Sequence, residues 1–458
     1  MNFPAYEHYK PSGIEWLGEV PEHWEADRIR RSSQRVTDGA HISPDLSSPD
    51  FPFVSTVDLW GGKIDFDGCL RTSDECYAYL VHTGCRPHHG DLLFSKDGTV
   101  GRTAVVDVER EFVVASSLVI VSPNPRKMNV KFLDYWLNNS LLQQDILLQM
   151  SGAALRRISV EKVSRLPVLL PPLVEQRAIA AFLDRETGRI DRLVAKKREL
   201  IERLKEKRTA LISRTVTLGL PRAAARAAGF PENPPLKPCG HGRLGDIPEH
   251  WDAKQLGYLV VKVGSGKTPR GGAETYQSEG IMLIRSQNVH DDGLRLDDVV
   301  FIDEATDEDM AGSRVRERDV LLNITGASLG RCSVVPRNFP KANVNQHVCI
   351  IRCDMNKLDP AFTQFTLTAQ FVKDQIFADE TGSSREGLNF QQVKDLRLCV
   401  PPLAEQSAVS AYLDEETAKL DALVGKVEEA VERLQEYRAA IITASVTGKI
   451  DVRKEVMP

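Results

Sequence analysis

The sequence predicts an α+β protein: two tandem α+β domains, each followed by a long α-helix, with the two helices pairing as an antiparallel coiled coil. Three observations carry this. Residues 166–220 and 396–450 align without a gap at an offset of 230, with close to half of their positions identical. A second echo lies upstream, where LGEVPEHWEA at Leu17–Ala26 matches LGDIPEHWDA at Leu244–Ala253. Within the aligned segments, apolar residues recur at steps of three, four and seven, the period of a helical seam.

The expected layout is a first domain over 1–165, a first helix over 166–218, a linker over 219–243, a second domain over 244–395, and a second helix with tail over 396–458. Short β-rich runs broken by Gly, Asp and Pro predict a strand-and-turn core in both domains. Gly90-Asp91-Leu92-Leu93-Phe94 corresponds to Arg318-Asp319-Val320-Leu321-Leu322, and Val114–Ile120 to Val344–Ile350. One helix is predicted near the end of each domain, over Asn129–Met150 and Pro360–Ala378.

The long helices open at Pro171-Pro172 and Pro401-Pro402, since proline suits a helix entrance where its missing N–H would be unpaired. Glu175 and Glu405 fall in the first turn, where negative charge complements the helix dipole. Each stripe supports about 40 residues, or about 60 Å. Residues 166–230 carry a net charge of +7 and residues 396–458 a net −3, so pairing is electrostatically favourable. An antiparallel pair would place the two domains at opposite ends of a rod. Lys197 interrupts the first stripe where Val427 continues the second. The linker, rich in Pro, Gly and Ala, could span about 85 Å if extended.

The chain has 458 residues, 42% of them apolar, and a net charge of −5. No apolar run approaches a membrane span, and the N-terminus lacks a basic stretch followed by an apolar one. The eight scattered cysteines suit a reducing compartment. A cytoplasmic protein without a membrane partner is expected. The acidic domains argue against strong nonspecific binding to nucleic acid.

Catalytic motifs fail on inspection. Gly266-Lys267-Thr268 lacks the glycine five residues earlier that a phosphate loop needs, Val261 standing there. Asp303-Glu304-Ala305 means little without that loop. Asn233-Pro234-Pro235-Leu236 has an aliphatic residue where a base-stacking aromatic is required. Cys69, Cys76, Cys85, His82, His88 and His89 lack the close Cys-x-x-Cys pair usual in structural zinc sites. No nucleophile–base constellation is legible, and no metal or cofactor is expected on this chain.

The repeated PPLxEQ entrance (Pro171–Gln176, Pro401–Gln406), together with YKPSGIEWLGEVPEHW over Tyr9–Trp24, resembles the specificity subunit of type I restriction–modification enzymes. The likeness covers almost the whole chain. It implies a non-catalytic DNA-binding subunit whose two variable domains are target-recognition domains, each reading one half of a split target in double-stranded DNA. It implies that the helices form the spacer, dock two methyltransferase subunits and help recruit restriction subunits. S-adenosylmethionine, ATP and Mg would belong to those partners. Asp38-Gly39-Ala40-His41 and Gly266-Lys267-Thr268-Pro269 look like family loops, with Ala40 where a hydroxyl residue is more usual.

Under this resemblance the residues expected to face DNA are His41, Lys96, Thr99 and Arg102 in the first domain. In the second they are Lys267, Thr268, Arg270, Arg285, Gln287 and Asn288. Helix pairing and partner docking are expected of Glu175, Gln176, Leu183, Ile190, Leu193 and Leu204, and of Glu405, Gln406, Leu413, Leu420, Leu423 and Leu434. Two rival readings are a stand-alone DNA methyltransferase or nuclease, which the failed motifs disfavour, and a coiled-coil adaptor binding only proteins, which the paired but diverged domains disfavour.

Overall fold

In a computed structural model of the chain, residues 3–47, 49–150, 156–240, 245–269, 271–378 and 387–456 are described. The chain forms two compact units, residues 1–198 with 429–458, and residues 199–428. Two long helices, Leu173–Leu218 and Leu403–Val446, each contribute to both units.

The first unit holds a four-stranded antiparallel sheet in the order Thr103–Val105, Leu92–Ser95, Leu118–Pro123, Ser33–Asp38. A second sheet pairs Phe51–Val54 in parallel with Val113–Val114 and antiparallel with Leu70–Thr72. Leu93, Leu118, Ile120, Phe112, Val54 and Leu59 close the core between them. The second unit repeats the plan. Val260–Ser265, Val348–Cys353, Val320–Asn323 and Cys332–Val334 form the four-stranded sheet, and Val300–Ile302, Ile281–Ile284 and Ala342–Val344 the three-stranded one. Both domains are thus α+β with one topology, as the repeat predicts.

The single helices predicted over 129–150 and 360–378 are each two helices. The first splits into Val130–Leu137 and Ser140–Gln149, the second into Pro360–Thr368 and Gln370–Ala378. At the first break, Asn139 leaves the helical region and its side chain caps the Leu142 N–H, a competing local bond that apolar periodicity does not register. The N–H of Ser140 is met by Thr443 Oγ1 at 3.1 Å, and that of Gln370 by Ser213 Oγ at 2.9 Å. Each domain is therefore braced by the far end of the helix that belongs to the other repeat.

The described residues of the linker, 219–240, are folded rather than extended. Arg222–Ala228 is a helix stopped by Gly229 in the left-handed region, and Leu236–Pro238 pairs with Asp246–Pro248. That hairpin repeats the pairing of Tyr9–Pro11 with Glu19–Pro21.

The helices run antiparallel. In the first unit Arg438 meets Asp191 at 2.9 Å, and in the second Arg208 meets Asp421 at 3.1 Å. These pairs are equivalent under the offset of 230, so the same contact between the helices recurs within each unit. Ile190 and Leu420 are buried, while Leu204 and Leu434 are half-buried along the seam. Lys197 is half-buried at a seam position, with its equivalent Val427 likewise. Leu183 and Leu413 lie deeper, in the domain cores: Leu183 with Ile441, Ile442 and Val446, and Leu413 with Ile212 and Val216. Leu193 and Leu423 do not pair. They are 39% and 47% exposed, because the seam follows 190, 194, 197, 201, 204 and 208, which leaves 193 on the outward face.

Glu175, Gln176, Glu405 and Gln406 also differ from expectation: they are buried, and each pair locks a helix to its own domain. Glu175 Oε1 accepts from the Tyr6 hydroxyl (2.7 Å) and Trp24 Nε1 (3.0 Å), while Oε2 lies 2.8 Å from His23 Nε2. Glu405 Oε2 meets Trp251 Nε1 at 3.0 Å and His250 at 2.8 Å. Gln176 accepts from the N–H of Asn129 and donates to the carbonyls of Lys127 and Pro171. Gln406 does the same with Asp359, Lys357 and Pro401. The two sequence echoes, PEHW and PPLxEQ, are thus the two sides of one joint.

Near the first joint, Asp134 accepts hydrogen bonds from Thr103 Oγ1 (2.5 Å) and Asn138 Nδ2 (3.2 Å). Burial pushes its carboxyl up to about 6, against the pull of Thr103 and with Asp184 adding to the rise. An acid with a raised folded pKa costs nothing below its unfolded value, about 3.9, and carries its full penalty above about 6. Asp134→Asn should therefore gain on the wild type by up to about 3 kcal/mol between pH 4 and pH 7. Urea melts at both pH values check this, and a constant gap contradicts it.

Candidate nucleic-acid interface

In the first domain, strand Ser33–Asp38 ends at Gly39, whose N–H donates to the carbonyl of Leu118 (3.1 Å). A Cβ on Gly39 would lie 2.1 Å from the carbonyl oxygen of Val114, so any side chain here collides with backbone. Gly266 is equivalent, with 1.5 Å to the oxygen of Val344. The glycines of both family-like loops thus let the chain cross the neighbouring strand closely before it turns outward. Past Gly39, the Ala40 N–H donates to Val114, and His41 is exposed with Nε2 2.9 Å from Asp38 Oδ2.

Three further loops meet this crossing. The Ala115 N–H donates to Val54, and the Lys96 N–H to Ser117. After Val54, Ser55 donates its N–H and its hydroxyl to Asp58 Oδ2 (2.7 and 2.9 Å). A hairpin follows, Leu59–Trp60 against Lys63–Ile64. Its turn, Gly61-Gly62, has φ of 59° and 76°, the positive values that a tight two-residue hairpin requires. Arg102 Nη1 donates to the carbonyl of Leu59 (3.3 Å), and its guanidinium sits 5.1 Å over the Trp60 ring.

The structure therefore gathers His41, Lys96, Thr99 and Arg102 around one set of loops. Lys96 is not a free cation: it is mostly covered and paired to Asp97 at 3.0 Å. Thr99 is exposed, its carbonyl accepting from Ser95 Oγ (2.7 Å). Sequence reasoning missed Val57, 81% exposed on the 3₁₀ turn Thr56–Asp58, and Trp60, 73% exposed on the hairpin that follows it. The signal that could have found them is the fit of 55–64 onto 285–294 at the same offset of 230.

In the second domain, Lys267 and Thr268 are exposed after Gly266, and among the described residues the next helical element is the single 3₁₀ turn Gly272–Thr275. Arg270 lies outside the described residues. Asn288 caps as Asp58 does, accepting from the N–H of Arg285 (2.9 Å). It is fully buried, and its amide donates to the Arg295 carbonyl and to Asp298. Asn288 thus shapes the turn and has no edge free for a base. Arg285 donates to the Asp298 carbonyl (2.8 Å) and lies 5.9 Å over Tyr276. Gln287 is exposed and donates to Asp298.

The companion hairpin is Val289–His290 against Gly293–Leu294. Asn323 ties the turn to the sheet, donating to the Ser286 carbonyl (2.8 Å) and to Ser328 Oγ (3.1 Å). Thr325, Gln346 and His347 form a polar cluster beside it, with Thr325 Oγ1 2.5 Å from His347 Nδ1 and Gln346 Nε2 2.9 Å from His347 Nε2. These three were also missed, although Val344–Ile350 was already paired with Val114–Ile120. Asp303 is a helix cap accepting from the Thr306 N–H (2.7 Å).

Among the described residues, no group of three or more His, Cys, Asp or Glu is placed to hold a metal ion, and no helix is long and apolar enough to cross a membrane. Each domain offers loops bearing planar, hydrogen-bonding and cationic side chains on a rigid sheet, an arrangement able to address base edges and phosphates.

Residues 48–203 match the profile of the type I restriction modification DNA specificity domain. A putative type I restriction enzyme MjaX specificity subunit of Methanocaldococcus jannaschii is 22% identical over 460 aligned residues, covering 99% of each chain. The EcoBI specificity subunit of Escherichia coli is 23% identical, covering 82% of this chain and 76% of that one. Among solved structures, a chain from a study of assembly and conformational transition of the type I R-M system superposes with a TM-score of 0.67 at 16% identity. It covers 94% of this chain and 99% of that one. The HsdS subunit of Thermoanaerobacter tengcongensis gives a TM-score of 0.50 at 16% identity, covering 94% and 98%. The structural likeness is one of fold.

Proposed function

By sequence and by fold this chain is a relative of the type I restriction–modification specificity subunits, and on that footing we propose that it reads a bipartite DNA target and scaffolds catalytic partners. Each domain addresses one half-site through the loops around Gly39 or Gly266. The observation that carries this reading is the duplication: two domains of one topology, alike in frame and different in loop side chains, each packed on the same two long helices.

The paired helices act as the ruler between half-sites and as the platform for two methyltransferase subunits and for restriction subunits. The outward leucines Leu193, Leu200 and Leu423 support docking, since apolar side chains exposed on a charged helix gain from being covered. The chain itself is non-catalytic and cytoplasmic. S-adenosylmethionine, ATP and Mg act on the partners.

Co-expression with the methyltransferase subunit and methylome sequencing tests the reading; a gapped, two-part methylated motif is the expected outcome. Inserting matched heptads into both helices, two turns or about 10 Å each, should widen the gap by about three base pairs. An unchanged gap would refute the ruler, and methylation without this chain would refute the scaffold.

A further inference from the structure

The 3₁₀ turn and hairpin over 55–64 present apolar surface outward. Val57 and Trp60 are 81% and 73% exposed, although a tryptophan left in water forfeits one of the largest burial gains available to a side chain. The presentation is rigid. The hydrogen bonds from Ser55 to Asp58 and the Gly61-Gly62 turn hold the backbone. Arg102, bonded to the Leu59 carbonyl, holds the ring from one side by cation–π contact. The tip is continuous with the loops of the proposed DNA face, and exposed Lys63 stands beside Trp60 in the hairpin. A cation-flanked apolar tip suits a polyanion whose groove carries an apolar group.

At the equivalent positions the second domain has Gln287 and His290, both able to hydrogen-bond. The two heads therefore address different chemistry with the same hairpin. In the major groove the distinctive apolar group is the 5-methyl of thymine. We infer that Val57 and Trp60 sense a thymine methyl in the first domain's half-site, with Arg102 as the residue that positions the ring. This rests on the DNA-reading function proposed above.

The test uses the full complex with its methyltransferase subunits and a duplex bearing the methylome-derived target. Each thymine of the first half-site is replaced singly by deoxyuridine, which removes only the methyl. The wild type should bind about fourfold more weakly at one such position, the size expected for one buried methyl group. Trp60→Ala and Val57→Ser, both at exposed sites, should weaken binding to the thymine duplex and abolish the thymine–uridine difference. Substitutions in the second half-site should be indifferent to these variants. Arg102→Lys keeps the charge but loses the planar stack, and should shrink the thymine–uridine ratio while leaving the salt dependence unchanged. Tolerance of uridine throughout the first half-site, or a difference that survives Trp60→Ala, overturns the inference alone. A wild-type complex that selects no bipartite sequence overturns the functional reading and this inference with it.

Discussion

Glu175→Ala is expected to destabilise the first unit by about 4 kcal/mol, because one buried carboxylate satisfies three donors. Tyr6, Trp24 and His23 all converge on it, and alanine leaves the tyrosine and indole hydrogens inside the protein with nothing to accept them. The joint also closes the N-terminal segment onto the end of the second helix. The Tyr9 hydroxyl donates to the Gly448 carbonyl, the Asp451 N–H to Pro4, and the Arg453 guanidinium lies 5.0 Å over Tyr6. Glu175→Gln keeps one carbonyl acceptor and should cost about half as much. Glu405→Ala removes a partner from His250 and Trp251 only and should fall between the two. Denaturant melts of the three variants check this order. A Glu175→Ala variant as stable as the wild type would mean that the joint contributes nothing.

Ile190→Ala should cost about 3 kcal/mol, whereas Leu193→Ala, three residues along the same helix, should stay within about 0.5 kcal/mol of the wild type. Ile190 is 1% exposed and Leu193 is 39% exposed. Removing the first leaves a cavity in a packed seam; removing the second exposes little that was covered. The pair of variants therefore reports the register of the coiled coil, which a single substitution does not. Equal losses at both positions would place the seam elsewhere. On the proposed docking of methyltransferase subunits, Leu193→Ala is expected to weaken their association with the chain without altering the melting of the free chain.

The repeat, the domain order and the antiparallel helices were legible because they rest on patterns long enough to survive local noise. The exchange of Arg438–Asp191 for Arg208–Asp421 under one offset is the repeat in atomic form. Individual roles were less legible. Periodicity at steps of three, four and seven admits both 193 and 194 as seam positions, and only the packed partner selects 194. Glu175 and Glu405 carry a first-turn signature that says nothing of the Trp24 and Trp251 rings brought to them from about 150 residues away. Trp60 was overlooked because a lone tryptophan in a strand reads as core.

By itself the sequence determined that there are two modules, that each is a strand-rich head on a helical stem, and that the stems pair. Those features follow from side-chain period and from duplication, which are properties of the chain read in order. Only the tertiary structure decided which repeated acids are joints, that Asn288 is spent inside a turn while Gln287 faces outward, and that a tryptophan stands at the hairpin tip. These depend on which groups distant segments bring to within hydrogen-bonding distance. That distance is set by the packing of the whole domain, and no local pattern encodes it.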